Sequence, residues 1–172
     1  SVIELGGQDA KIIIWRQDPK TGRKHKLANM NDKCAGGTGA VIDRIAAKLH
    51  FDPEQLRTMR YGNTKVHAIA GKCGVFAETD MNSLQKQGVS SEELMVSLFE
   101  AIVQQNLSVL TRGNVLRPRV LLLGGPNTFF PCLQEAWRRH IPPLWRERGL
   151  AVEGRDPDEL IVVPDNSLYY AA

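Results

Sequence analysis

The sequence predicts a mixed α/β domain in which one sheet is covered by helices. Three short strand-like segments with tight connections open the chain, at residues 2–5, 10–15 and 24–30. Segments with helical periodicity follow, and two more strand-like runs lie at residues 120–123 and 160–163. Three consecutive strands with tight connections favour an antiparallel meander. The order βββ-α-α-β-α-β therefore predicts a mixed sheet flanked by helices.

The second predicted strand differs from its neighbours in composition. Residues 10–15 are almost wholly apolar and β-branched, which is typical of a strand buried on both faces. Gly6 and Gly7 turn the chain before it, and a loop containing Pro19 and Gly22 follows it.

Two helices are predicted in the first half of the chain. The first begins at Gly37 or Thr38, with Thr38 as the N-terminal cap. Its apolar side chains recur on one face: Val41, Ile42, Ile45, Ala46 and Leu49. A short second helix opens at Asp52, with Pro53 at its first position. A break at residues 71–74 then precedes an apolar segment around Phe76.

Two more helices are predicted in the second half. Ser90-Ser91-Glu92-Glu93 is a typical helix start with early acidic residues, and an apolar stripe follows over residues 94–110. Residues 132–145 predict a helix that is broken at Pro142-Pro143. Trp137 and Trp145 are expected to form its packing face.

Length and composition limit the classes of function. The 172 residues fit one domain, and the formal net charge of +3 does not favour a nucleic-acid partner. The longest apolar run is far shorter than a membrane span. Three cysteines cannot all pair within the chain, and nothing indicates secretion. We expect a cytoplasmic protein without a membrane partner.

The two ends of the sequence predict a domain within a longer polypeptide. Residues 1–4 already lie in a predicted strand, and residues 165–172 resemble a turn that leads into a further helix. We therefore expect residues 1–172 to form a single domain that was cut from a longer chain.

Three local sequences resemble one protein family. Ile3–Lys11, Asn31–Gly39 and Cys73–Glu78 are similar to segments of the activators of 2-hydroxyacyl-CoA dehydratases, a family that includes the ATPase subunits of benzoyl-CoA reductase. The similarity covers nearly the whole chain in the family's order. Leu123–Thr128 and Leu133–His140 look closest to its long, multi-domain members.

This resemblance implies the C-terminal half of an actin-like, ribonuclease H-like ATPase fold. It also implies an ATP-dependent one-electron reductase that binds ATP or ADP with magnesium. Family members are homodimers that hold one 4Fe-4S cluster between their subunits, and ATP binding and hydrolysis change the helix geometry at that cluster. The implied partner is an iron–sulfur dehydratase or reductase that acts on a CoA thioester.

Cys34 and Cys73 are the candidate cluster ligands. A cluster of this type takes four thiolates, which two cysteines per chain supply across the two-fold axis of a dimer. Lys33 and Lys72 each precede a cysteine and add positive potential that favours thiolate. Zinc bound by the same four thiolates is an alternative, as is a pair of buried, inert cysteines. Cys132 has no matching motif and is expected to be an ordinary core or surface residue.

The Gly6-Gly7 turn is a candidate phosphate site. Glycine lets backbone amides approach phosphate oxygens, and the resemblance makes this turn the second phosphate-contacting loop. Glu4 stands where many actin-like ATPases place an aspartate near magnesium. Gln8 is a candidate to orient the attacking water, and Asp9 is a second carboxylate for water or magnesium. A buried strand carboxylate and an ordinary turn are the alternatives.

Two further glycine segments are candidate nucleotide contacts. Gly36, Gly37, Thr38 and Gly39 lead into the first predicted helix, and a glycine-rich helix start favours anions. By resemblance, Gly124, Gly125 and Asn127 contact adenosine, although Pro126 stands where relatives often have a small residue. A simple loop and a strand-to-helix turn are the respective alternatives.

Three functions remain open from the sequence. The first is the ATPase electron-transfer activator. The second is a non-catalytic assembly or regulatory domain, which is favoured because the actin-like fold places its first phosphate loop in the preceding half. The third is a phosphotransferase of sugar or acetate kinase type, for which no acceptor-binding residues stand out. An isolated half is expected to bind ATP weakly and to hydrolyse it poorly.

Overall fold

The computed structural model describes residues 1–31, 38–70, 74–150 and 154–165. Within them the chain forms one five-stranded sheet of order β3-β2-β1-β4-β5. The strands are β1 Val2–Leu5, β2 Ala10–Gln17, β3 Lys24–Asn31, β4 Val120–Leu123 and β5 Ile161–Val162.

The sheet is mixed, with β1 at its centre. β1 pairs antiparallel with β2, and β2 pairs antiparallel with β3, which confirms the predicted meander. On its other side β1 pairs parallel with β4, and β4 pairs parallel with β5. Because β1 and β4 are parallel neighbours, the turns that follow them lie at the same edge of the sheet.

The burial of β2 departs from the prediction at one end. Ile12, Ile13 and Ile14 are buried, but Trp15 is 43% exposed. The register explains the difference, because β1 pairs only as far as Ile13, whereas Trp15 pairs with Lys26 of β3 alone. The expectation of burial on both faces was therefore wrong for Trp15.

Seven helices lie in the described residues. They are α1 Gly39–Lys48, α2 Pro53–Thr58, α3 Gly74–Lys86, α4 Ser91–Leu110, α5 Gly125–Phe129, α6 Pro131–Glu147 and α7 Pro157–Leu160. The predicted starts of α1, α2 and α4 are confirmed. Asp52 caps α2 in a capping box with Gln55, and the Ser90 hydroxyl accepts a hydrogen bond from the Glu93 amide at 3.2 Å. Leu160 ends α7, which leaves β5 shorter than predicted.

α4 is enclosed more completely than an amphipathic stripe predicts. Every side chain from Leu94 to Val103 is buried, including those of Ser97 and Glu100. The helix contacts β2 and β3 of the sheet as well as α1, α3 and α6. A helix surrounded in this way needs apolar residues on all its faces and a partner for each polar one.

α6 continues through Pro142 and Pro143, so the predicted break was wrong. Each proline removes a backbone donor, but the packing of this segment keeps the helix in place. Trp137 and Trp145 are fully buried, and the Trp145 indole N–H donates to the Leu116 carbonyl at 2.7 Å. None of the described helices has the length and apolarity that crossing a membrane requires.

Candidate nucleotide site

Two glycine turns meet at the edge of the sheet where β1 and β4 end. Gly6 and Gly7 follow β1, and Gly124 follows β4 with a φ of 91°. A Cβ atom at Gly124 would lie 2.0 Å from the Leu5 carbonyl oxygen. Both the close approach and the positive φ require glycine at this position.

The start of α1 joins the same point. The Gly39 amide donates to the Gly6 carbonyl at 2.9 Å, and the Ala40 amide donates to the Gly7 carbonyl at 2.7 Å. A Cβ atom at Gly39 would lie 3.0 Å from Pro126 Cγ. We call this meeting point the glycine junction: Gly6, Gly7, Gly39, Gly124 and Pro126. It brings together three segments that are far apart in the sequence.

The junction changes the interpretation of the start of α1. The amides of its first two residues, Gly39 and Ala40, already donate to carbonyl groups of the protein, so they link the helix to the Gly6-Gly7 turn. Thr38 is buried at the predicted N-cap position, but its side chain makes no capping hydrogen bond. Gly36 and Gly37 lie outside the described residues.

A cavity of about 160 Å³ lies beside the Gly6-Gly7 turn. It is lined by the three predicted catalytic residues, both glycines and two others: Glu4, Gly6, Gly7, Gln8, Asp9, Lys11 and Met30. Gln8 and Asp9 are exposed, and a Cβ atom at Gly7 would meet nothing within 4 Å. No described carbonyl accepts from the amides of Gly7 or Gln8. The turn thus has space and backbone donors for an anion.

Glu4 has a partner that the motif did not indicate. Its carboxylate accepts a hydrogen bond from Lys11 Nζ at 2.8 Å, and the side chains of Glu4 and Lys11 are 19% and 27% exposed. The two residues face each other directly across β1 and β2. The two-residue alternation of the hairpin was the signal that could have identified Lys11.

Asn127 lies next to the junction but is fully buried. Its amide nitrogen donates to the carbonyls of Leu123 at 2.8 Å and Ile3 at 3.3 Å, and its side-chain oxygen accepts from the Trp137 indole at 2.9 Å. The side chain therefore connects β1, β4 and α6. This geometry supports a structural role rather than the adenosine contact that the resemblance implied.

Comparison with known proteins shows the family. Residues 1–132 match the model of the BadF/BadG/BcrA/BcrD ATPase family. The chain belongs to this ATPase family. The fold is accordingly that of the actin-like ATPases, as the resemblance implied.

Curated members of the ATPase family include dehydratase activators. The activator of lactoyl-CoA dehydratase from Anaerotignum propionicum is 33% identical over 125 residues, which cover 73% of this chain and 46% of the relative. The 2-hydroxyisocaproyl-CoA dehydratase activator of Clostridioides difficile is 30% identical and is matched over 73% and 45% of the two chains. The chain spans about half the length of the curated relatives it matches.

A solved activator has the same fold. The activator of the 2-hydroxyisocaproyl-CoA dehydratase from Clostridium difficile, with bound ADPNP, superimposes with a TM-score of 0.66 at 28% identity. The alignment covers 95% of this chain and 53% of the activator. Nearly all of this member of the ATPase family therefore corresponds to about half of a nucleotide-binding activator.

The two cysteines expected to ligate a cluster, Cys34 and Cys73, lie outside the described residues. Within the described ranges, no group of three or more His, Cys, Asp or Glu side chains could hold a metal ion. The helices that follow the two cysteine segments are α1 and α3, and an ion pair joins them. Lys48 Nζ of α1 contacts the Glu78 carboxylate of α3 at 2.6 Å, and this hydrogen bond and charge lower the pKa of Glu78.

Cys132 is a core residue. Its side chain is fully buried in α6, and burial, followed by the charge of Glu135, raises the pKa of the thiol to about 12. A thiol in this environment stays protonated and unreactive.

A buried polar cluster lies between α4 and α6, and the sequence gave no warning of it. The Glu100 carboxylate accepts hydrogen bonds from the Tyr61 hydroxyl at 2.9 Å and from Gln104 at 3.1 Å, and it contacts His140 Nε2. Burial raises the pKa of Glu100, but the hydrogen bonds from His140 and Tyr61 outweigh it and leave the pKa below its usual value. Burial, together with Glu100, raises the pKa of Tyr61 to about 12.

Proposed function

We propose that this chain is the nucleotide-binding half of an ATP-dependent activator that passes single electrons to a CoA-thioester dehydratase or reductase. The observation that carries the proposal is the glycine junction beside the cavity of Glu4, Gln8 and Asp9. Ligands of open α/β folds bind where parallel strands end, and this edge presents free amides there. The curated relatives named as activators of CoA-thioester dehydratases support the choice of partner.

Each residue of the cavity has a proposed task. The amides of Gly7 and Gln8 bind phosphate oxygens, and the Gln8 side chain orients the attacking water. The carboxylates of Asp9 and Glu4 supply the oxygen ligands that magnesium prefers. The Lys11 ammonium, which pairs with Glu4, adds positive charge beside the phosphates. Gly124 and Gly125 hold the neighbouring turn against β1.

Cys34 and Cys73 are the proposed ligands of a 4Fe-4S cluster shared by two copies of the chain. Two thiolates from each copy complete the four that the cluster takes. When bound, the cluster supplies the one-electron chemistry. The support comes from the sequence around the two cysteines and from family membership, and four-thiolate zinc remains the competing assignment.

The described contacts support a route from nucleotide to cluster. The Gly6-Gly7 turn is hydrogen-bonded to the first two residues of α1, which begins five positions after Cys34. The Lys48–Glu78 pair joins α1 to α3, which begins directly after Cys73. A shift of the turn on ATP binding would therefore be transmitted to both cysteine segments. Such coupling requires two positions of α1 that the nucleotide binds unequally.

We further propose that residues 1–172 are one domain of a longer cytoplasmic protein, in which the preceding half supplies the first phosphate loop. A non-catalytic regulatory domain is the second candidate. The observation that favours it is the Glu4–Lys11 ion pair, because this pair occupies the carboxylate that magnesium would need.

Anaerobic purification of the protein that carries this chain tests the proposal. We expect a brown dimer with iron and acid-labile sulfide in equal amounts, both lost in Cys34→Ser and Cys73→Ser. Cys132→Ser is the matched control and should keep both, because Cys132 lies in the core. Zinc without iron would favour the zinc assignment, and a preparation with neither metal would refute the cluster.

A further inference from the structure

A second cavity lies next to the glycine junction, on the side away from the sheet hairpin. Its volume is about 370 Å³, and it lies between α1, α2 and the end of α5. The residues that matter here are Asp43, Ala46, Ala47, Leu56, Arg57 and Phe129. Small and apolar side chains line most of it, and one carboxylate and one guanidinium supply its charges.

Two helices lead from the junction into this cavity. α1 begins at Gly39 in the junction, and Asp43 and Ala47 follow about 6 Å and about 12 Å further along its axis. α5 begins at Gly125, directly after Gly124, and ends at Phe129 in the cavity wall. A ligand whose phosphates bind at the junction can therefore extend along α1 into the cavity.

The cavity presents an aromatic ring and a cation together. The Arg57 guanidinium carbon lies 5.2 Å from the centre of the Phe129 ring, which is within the range of a cation–π contact. Phe129 nevertheless remains 42% exposed, whereas the core buries Phe99 completely. Leu56 is buried and provides an apolar floor. A planar heterocycle gains most from such a surface, because bases stack on aromatic rings and on guanidinium planes.

We propose that this cavity binds the adenine base of the nucleotide, with Phe129 and Arg57 as the stacking surface. The inference rests on the proposed nucleotide function and deepens it. It also moves the base contact from Asn127, whose side chain is buried and hydrogen-bonded within the protein, to an exposed residue two positions later. Phe129 is then a residue that determines affinity for the base and not for the phosphates.

The test compares magnesium–ATP with magnesium–tripolyphosphate, which has the phosphates and lacks the base. Equilibrium binding is measured by calorimetry on the protein that carries this chain. Phe129→Ala should weaken ATP binding about tenfold or more and leave tripolyphosphate binding unchanged, because stacking on one aromatic ring contributes about 1–3 kcal/mol per base. Phe129→Tyr keeps the ring and should bind ATP like the parent protein.

Two further variants separate this site from the rest of the protein. Arg57→Ala should weaken ATP binding less than Phe129→Ala, whereas Arg146→Ala removes an exposed arginine of α6 and should change nothing. Gly7→Val places a side chain in the open space at the phosphate turn and should weaken both ligands together. Thermal unfolding of each variant shows whether it is folded.

The outcomes distinguish the base site from the proposed function. If Gly7→Val weakens both ligands and Phe129→Ala weakens neither, or weakens both equally, the base site is refuted and the nucleotide function stands. If the parent protein binds neither ligand, the nucleotide function and the base site both fall.

Discussion

The edge where β1 and β4 end and the layer formed by α4 and α6 treat polar side chains in opposite ways. At the edge, Gln8 and Asp9 are exposed beside a glycine turn whose amides have no described carbonyl partner. In the layer, Glu100 and Asn127 are buried, and several hydrogen bonds within the protein satisfy each of them. A polar group enclosed by the fold must find its partner there, whereas an exposed one beside a turn remains available for a ligand.

The largest expected effect follows from replacing a glycine of the junction. Gly124→Ala should lower the free energy of unfolding by more than about 3 kcal/mol, because the new Cβ would overlap the Leu5 carbonyl and the residue has a positive φ. Gly7→Ala is the control, since space is free there, and should cost less than about 1 kcal/mol. Denaturant titration of both variants checks this, and equal losses would contradict the described packing.

A smaller effect is expected inside the buried layer. Asn127→Ala should cost about 2–4 kcal/mol of unfolding free energy, because it leaves the Trp137 indole and two carbonyls without their partner. Asn29→Ala is the matched control. Its amide makes one printed bond, to the Leu110 carbonyl, from a partly buried position, so we expect about 1 kcal/mol. A loss at Asn127 no larger than at Asn29 would argue for a ligand-binding role instead.

The smallest effect concerns Glu100 and depends on pH. Glu100→Gln should cost about 1–2 kcal/mol near neutral pH, because a neutral amide accepts weaker hydrogen bonds than a carboxylate. The pKa of Glu100 is lowered in the folded protein, so its contribution is present above the ordinary value of 4.5 and is lost as the pH falls through the folded pKa. The two proteins should therefore converge in stability at acid pH.

Denaturant titration at several pH values measures this convergence. Glu147→Gln removes an exposed carboxylate at the end of α6 and should show a much smaller difference at every pH. A difference for Glu100→Gln that grows as the pH falls would show that the carboxyl is protonated in the folded protein at neutral pH.

Local patterns predicted most of the secondary structure. The strands β1 to β4 and the starts of α1, α2 and α4 follow from apolar periodicity and capping residues, which act over a few positions. The errors lie where distant contacts decide. Trp15 is exposed because β1 is short, and α6 continues through Pro142 and Pro143 because Trp145 and its neighbours are packed in the core. α3, including the exposed Phe76, was not predicted as a helix.

The candidate site was predictable in its motifs and not in its partners. Glycine next to a strand indicated Gly6, Gly7 and Gly124, and the structure brings all three to one edge. The partner of Glu4 depended on the register of a hairpin, and the burial of Asn127 depended on a helix ten residues away. Phe129 and Arg57 share no motif, because their proximity exists only once α2 and α5 are packed.

The sequence by itself determined the family, the order of the elements and the glycine positions, since each of these is encoded in short continuous segments. The tertiary structure alone decided which polar residues are buried and which face open space, because that depends on parallel pairing of strands more than a hundred residues apart. It is the pairing of β1 with β4 that turns three separate glycine segments into one junction. The same pairing places Asn127 inside the protein and leaves Gln8 and Asp9 at its surface.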